Sequence, residues 1–133
     1  ISSADALKKT LLDAKSIGYS TGPSGVYFAS LLQKMGIADQ VKSKLKQTPP
    51  GQRVSEMVAS GEAEIGFQQV SELIHESGID YIGPLPSSIG NITVFSAGIH
   101  REAHEPQAAK ALIQHLKAPS AAPVVKKYGM DPA

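Results

Sequence analysis

Apolar residues recur along this chain with periods that switch between those of a helix and a strand, and the switches mark out an alternating series of elements. Ala6, Leu7, Leu11 and Leu12 line one side of a segment that Ser3 is placed to cap, which predicts a helix over residues 3–14. A short apolar run predicts a strand over 16–19. Helical spacing returns from Ser24 and stops at Gly36, a residue suited to the position just past a helix end. Ile37, Val41 and Leu45 share a stripe that predicts a helix over 37–47, broken by Thr48-Pro49-Pro50-Gly51. Further on, the pattern predicts a helix over 54–60 closed by Gly61, a strand over 65–68, a short helix over 70–76 and a strand over 80–85. The most strand-like run is 92–99, followed by helices over 106–116 and 120–128. Strands alternating with helices predict an α/β fold, with a mostly parallel sheet flanked by helices on both faces.

Composition adds limits rather than direction. The 133 residues, 41% hydrophobic and 19% charged, suffice for one core or two small lobes. The net charge of +1 and the lack of a basic block or Arg/aromatic cluster argue against a nucleic-acid partner, and the lysines at 42–46 read as a solvated helix face. With no Cys there is no disulfide, thiolate nucleophile or Cys-based metal site; neither a metal nor a cofactor is expected. No segment approaches the roughly 20 apolar residues of a membrane span. A start at Ile1 suits a processed or trimmed protein and leaves room for a signal peptide removed earlier.

The chemistry concentrates in residues 16–36, where a strand runs through a Ser/Thr/Gly/Pro loop directly into a helix. The hydroxyls of Ser20, Thr21 and Ser24, with the Gly25, Val26 and Tyr27 amides at the helix N-terminus, form an expected anion site that needs no charged partner. Plain helix capping is the competing account of the same residues. Gly18-Tyr19-Ser20-Thr21-Gly22 also spells the G-x-S-x-G nucleophile elbow, so a serine hydrolase or esterase built on Ser20 stands as an alternative. Asp80 followed by His100 or His104 has the required order, but no earlier strand supplies the oxyanion donor. His100-Arg101-Glu102-Ala103-His104 places its glutamate one position too late for H-E-x-x-H, and Pro106 starts the helix after both imidazoles. A surface turn is expected there. Asn91-Ile92-Thr93 is a glycosylation triplet of the kind that arises by chance.

Five blocks then carry a resemblance: SADALKKTLLDAKSIGYS, GPSGVYFASLLQKMGI, VASGEAEIGFQQVSEL, GIDYIGPLP and AAKALIQHLKAPSAAPVVKKYGMDP. Their order and spacing resemble the periplasmic solute-binding proteins of the molybdate-binding type, from ABC importers, across nearly the whole chain. The resemblance implies a type II periplasmic-binding-protein-like fold of two α/β lobes with the ligand in the cleft between them. Residues 16–88 would form the second lobe, and 1–15 with 89–133 the C-terminal part of an incomplete first lobe, including the crossover. Pro23-Ser24-Gly25-Val26-Tyr27 resembles the family's P-A-G-I-Y, whose backbone amide binds the oxyanion, so the Ser24 and Gly25 amides are the implied donors. Gln69 falls where the family has a tyrosine. An amide there keeps a donor and adds an acceptor, so that Gln68 or Gln69 could pair with a carboxylate or hydroxyl and molybdate itself is in doubt.

The resemblance thus implies a non-enzymatic solute-binding component of an ABC importer, periplasmic or otherwise extracytoplasmic. It would capture an oxyanion or small anionic organic solute and deliver it to an inner-membrane permease. A stand-alone ligand-sensing domain is the further alternative. Because Ile92, Val94, Phe95 and Ile99 are expected to lack packing partners, a two-fold dimer through the C-terminal segment is also expected.

Overall fold

The Ser3 hydroxyl accepts a hydrogen bond from the Ala6 amide at 3.1 Å and thereby starts α1, Ala4–Asp13, in the computed structural model, which describes residues 1–132. Leu7 and Leu11, one turn apart, turn inward and are buried. The chain then enters β1, Ile17–Tyr19, the centre of a three-stranded parallel sheet in the order β2-β1-β3. Strand β2 is Leu45–Gln47 and β3 is Ile65–Phe67; Ile17 lies opposite both Leu45 and Ile65.

Alternation along the strands assigns each face its cover. Ile17, Tyr19, Ile65 and Phe67 meet α1 and α2, the latter spanning Pro23–Lys34, in a core with Phe28, Leu31, Leu32, Ile37 and Val41. The rings of Phe28 and Phe67 stack there with centroids 4.2 Å apart, and Tyr19 tilts against Phe28 at 5.9 Å. The opposite face carries Gly18 and Gly66 beneath α4, Val54–Ala59. A Cβ on Gly66 would stand 2.5 Å from Val54 Cγ1, so the missing side chain is what lets this helix lie against the sheet.

Helix α2 starts with Pro in its first turn, where no amide is lost to the helix. It ends on Gly36, at φ +67°, with the Ile37 amide donating to the Leu32 carbonyl and the Gly36 amide to that of Gln33. Those two bonds make the paired C-terminal closure that favours glycine.

Residues 37–47 depart from the expected single helix. Only Ala38–Val41 (α3) is α-helical; one 3-10 turn, Lys42–Lys44, follows, and Leu45 enters β2. Pairing opposite Ile17 decides the conformation of Leu45, and a three-residue strand is too short to display a period of two. The expected short helix over 70–76 reduces to a 3-10 turn, Val70–Glu72.

The strands expected over 80–85 and 92–99 are also corrected: among the described residues neither forms a strand, and only a 3-10 turn, Ser87–Ile89, interrupts this stretch. Gly83 at φ +132°, followed by Pro84 and Pro86, breaks the first. In the second, Ile92, Val94 and Phe95 are 86%, 81% and 70% exposed, so the cross-strand packing that underlies strand preference is absent.

By packing, the chain divides into Ile1–Thr93, which holds the sheet and core, and Val94–Ala133. The second unit contains α5, Pro106–Lys117, and α6, Ala122–Lys127, joined by a 3-10 turn at Pro119–Ala121. Its Leu112, Leu116 and Val124 remain more than half exposed. No helix among the described residues is long and apolar enough to cross a membrane.

Candidate functional site

Parallel strands deliver the loops that follow them to one edge of the sheet, where ligands of open α/β folds bind. Ser20 follows β1 directly, Thr48 follows β2, and Gln68 and Gln69 follow β3. Since Tyr19 is paired with Phe67, Ser20 and Gln68 leave neighbouring strands at the same level.

The loop after β1 is closely packed. Ser20 is 8% exposed, and its hydroxyl lies 2.9 Å from that of Ser24. One hydroxyl must donate to the other, which leaves the pair a single hydrogen for a ligand. Gly25 rests on the Ser20 carbonyl. The amides of Gly25 and Val26 donate to the Gly22 carbonyl at 3.0 and 3.1 Å, as the start of a helix requires. Pro23 has no amide hydrogen, so the Ser24 N–H is the donor of this first turn without a protein acceptor among the described residues. Thr21 and Val26 point outward and are exposed.

The two glutamines differ. The Gln68 side-chain oxygen accepts from the Val54 amide at 2.9 Å and so caps α4 from the end of β3, a role that its 14-residue separation from Val54 hides in the sequence. The Gln69 amide donates to the Thr93 hydroxyl at 3.0 Å. Ser24, Gln68 and Gln69 all line one cavity of about 490 Å3 within the first unit, whereas Ser20, Thr21, Gly25 and Val26 stay outside its lining.

The other walls come from residues that the sequence did not assign to a ligand site: Leu7 and Phe28 from the helices, Ile65 and Phe67 from β3, and the segment carrying Asp80, Tyr81, Ile92 and Thr93. Burial raises the Tyr81 pKa above the ordinary 10.0, so its phenol stays neutral further into the alkaline range. The Tyr27 hydroxyl donates to the Ile89 carbonyl at 2.8 Å and ties this segment to the first turns of α2. Sequence signals existed for Leu7, on the inward stripe of the first helix, and for Ile65 and Phe67, within the expected strand over 65–68.

The elbow geometry is not reproduced around Ser20. Among the described residues no non-glycine adopts positive φ, so the strain that projects an elbow nucleophile is missing. The Glu102 amide donates to His100 Nδ1 at 3.2 Å and the Ala103 amide to the His100 carbonyl at 3.1 Å, which makes this run the expected exposed turn.

An open parallel sheet with hydroxyl and amide groups gathered at its carboxyl edge, around a cavity, defines an α/β small-molecule-binding lobe. The chain belongs to the bacterial extracellular solute-binding proteins, whose family model matches residues 1–131. It is 38% identical over 133 residues to an aconitate isomerase of Pseudomonas sp, an alignment covering 99% of this chain and 50% of that protein. It is also 32% identical over 130 residues to the molybdate-binding protein ModA of Azotobacter vinelandii, covering 92% and 50% of the two chains. Identity to ModA of Escherichia coli (strain K12) is 27% over 107 residues, covering 80% and 41%. The chain therefore spans about half the length of the curated relatives it matches. No solved structure matches it significantly.

Proposed function

We propose that this chain is part of the solute-binding component of an ABC importer, working in the periplasm or otherwise outside the cytoplasmic membrane, and that its solute is a small organic anion. The observation that carries the reading is the gathering of Ser20, Ser24, Gln68 and Gln69 past the carboxyl ends of β1 and β3, three of them on one cavity. Membership of the solute-binding family supports the transport role. Similarity to molybdate-binding proteins supports an anion, while Gln69 and the similarity to an aconitate isomerase favour a carboxylate over molybdate. In the whole protein, the sheet and the helices packed on it, α1 included, would form one wall of the cleft.

On this reading the Ser24 amide, the remaining hydroxyl hydrogen of the Ser20/Ser24 pair and a glutamine amide hold the anion without a protein cation. A neutral analogue would leave those donors unpaired and be rejected. A thermal-shift screen with molybdate, sulfate and small organic acids tests it. At a hundred times its Kd the true ligand adds about 2.7 kcal/mol of stability; no shift with any anion overturns the reading.

A second reading, turnover of an organic acid, is favoured by the 38% identity to the isomerase. Appearance of a second isomer in the NMR spectrum of trans-aconitate incubated with the chain would establish it. For Ser20 we propose a role in binding and not in nucleophilic attack, supported by its unstrained backbone and its bond to Ser24. Stoichiometric fluorophosphonate labelling, lost in Ser20→Ala, would overturn that.

A further inference from the structure

The cavity wall is predominantly apolar, with polar groups at several points that include the carboxyl ends of β1 and β3. Its volume of about 490 Å3 falls in the range of sites that enclose whole organic molecules. Ser24, Gln69 and Thr93 supply hydroxyl and amide groups past the carboxyl ends of β1 and β3. From there the wall runs back along β3, over Phe67 and then Ile65, about 7 Å further down the strand. Leu7 and Phe28 extend the apolar surface on the helix side and Ile92 on the other. Strand β3 is an edge of the sheet, so this strip has the covering segment, and not another strand, beside it.

A second negative charge on the ligand would find no cationic side chain among the described lining residues. Asp80 belongs to the covering segment, while the Glu64 carboxylate accepts a hydrogen bond from the Lys15 amide. A ligand with one carboxylate at the strand ends meets donors there and apolar wall beyond. One with further carboxylates buries charge against Phe67 and Ile65, with no Lys or Arg among the described lining residues to balance it.

We propose that the ligand class of this cavity is a monocarboxylic acid with an extended apolar body, its carboxylate at Ser24 and Gln69 and its body along Phe67 and Ile65. This deepens the organic-anion reading above and rests on it.

Calorimetry on the 133-residue chain with straight-chain monocarboxylates from acetate to octanoate is the test, with 1-octanol, citrate and molybdate alongside. Affinity should rise roughly three- to fourfold per methylene, the effect of burying each one. Octanoate should bind at least tenfold more tightly than 1-octanol, which has the same tail and no charge. Equal binding of the alcohol would assign the signal to exposed apolar surface and overturn the proposal. Affinity independent of chain length, or citrate or molybdate bound more tightly than octanoate, would also overturn it while leaving the organic-anion or oxyanion reading in place. No binding of any anion would remove both.

Discussion

The α-carbon of Gly25 faces the carbonyl of Ser20 so closely that a Cβ at position 25 would stand 1.6 Å from that oxygen. The first turn of α2 therefore sits directly on the end of β1, and the closeness itself holds the Ser20 and Ser24 hydroxyls together. Gly25→Ala should cost about 3 kcal/mol, since backbone and not a flexible side chain must move. At Gly22 the nearest atom to a Cβ is the Ser20 hydroxyl oxygen at 3.7 Å, an ordinary contact. Gly22→Ala should cost about 1 kcal/mol or less, as a changed cap. Urea denaturation of the two variants measures the difference; equal costs would refute the packing argument.

Gln68 offers a separable test, because its side-chain oxygen takes the Val54 amide at the start of α4. Gln68→Ala should destabilise the chain by about 1 kcal/mol through loss of that acceptor. Gln68→Glu keeps an acceptor and places a negative charge at a helix N-terminus, so it should retain wild-type stability or gain a few tenths of a kcal/mol. Denaturant midpoints that rank the glutamate variant below the alanine variant would contradict the assignment.

What the sequence disclosed follows from the range of the interactions involved. The cap at Ser3, the close at Gly36 and the helix over Pro106–Lys117 depend on neighbours within a few residues and were legible. Leu45 was not, because its conformation is set by Ile17 on another strand. Ile92, Val94 and Phe95 misled for the converse reason: their strand preference expresses packing that they do not find. In the site, Ser24 and the two glutamines were visible from a loop pattern and a resemblance. The Gly25 and Val26 amides are engaged by the Gly22 carbonyl, and the bonds that fix Gln68 and Tyr27 span 14 and 62 residues.

Thr48 and Ser55 are 1% and 2% exposed, and their hydroxyl oxygens have no hydrogen-bond partner among the described residues. Burying an unpaired hydroxyl is costly, and removing it without opening a cavity recovers that cost. Thr48→Val, nearly the same shape, should therefore be neutral or stabilising by about 1 kcal/mol. A loss above about 1 kcal/mol in chemical denaturation would mean that the hydroxyl is satisfied.

Tyr81 supplies a pH signature. Burial raises its pKa above the ordinary 10.0, so the folded chain holds the phenolic proton more tightly than the unfolded chain. Its contribution to stability is fully present below the unfolded value, and is lost as pH rises through the folded one. The quantity to follow is the difference between wild type and Tyr81→Phe, in which the contributions common to both chains cancel. That difference should be constant from about pH 7 to 9 and shift against the wild type above about pH 10. A difference flat through pH 11 would show that the phenol is solvated.

Phe95, 70% exposed, lies close in sequence to Val94 at 81% and Ile92 at 86%, and α5 and α6 present Leu112, Leu116 and Val124 at 58%, 56% and 58%. Apolar surface on this scale favours association wherever a complementary surface is available, and a second copy of the chain always is. We expect the 133-residue chain to self-associate at micromolar concentration, as a two-fold pair joined through Val94–Ala133. The stretch over 84–90, with two prolines, two serines and a glycine, would serve as the hinge if that segment is exchanged. Sedimentation equilibrium should give a mass above 14.0 kDa that falls toward the monomer in Phe95→Lys, because a charge cannot be buried in such a contact without a partner. A clean monomer with cooperative unfolding would mean that these side chains do not drive association.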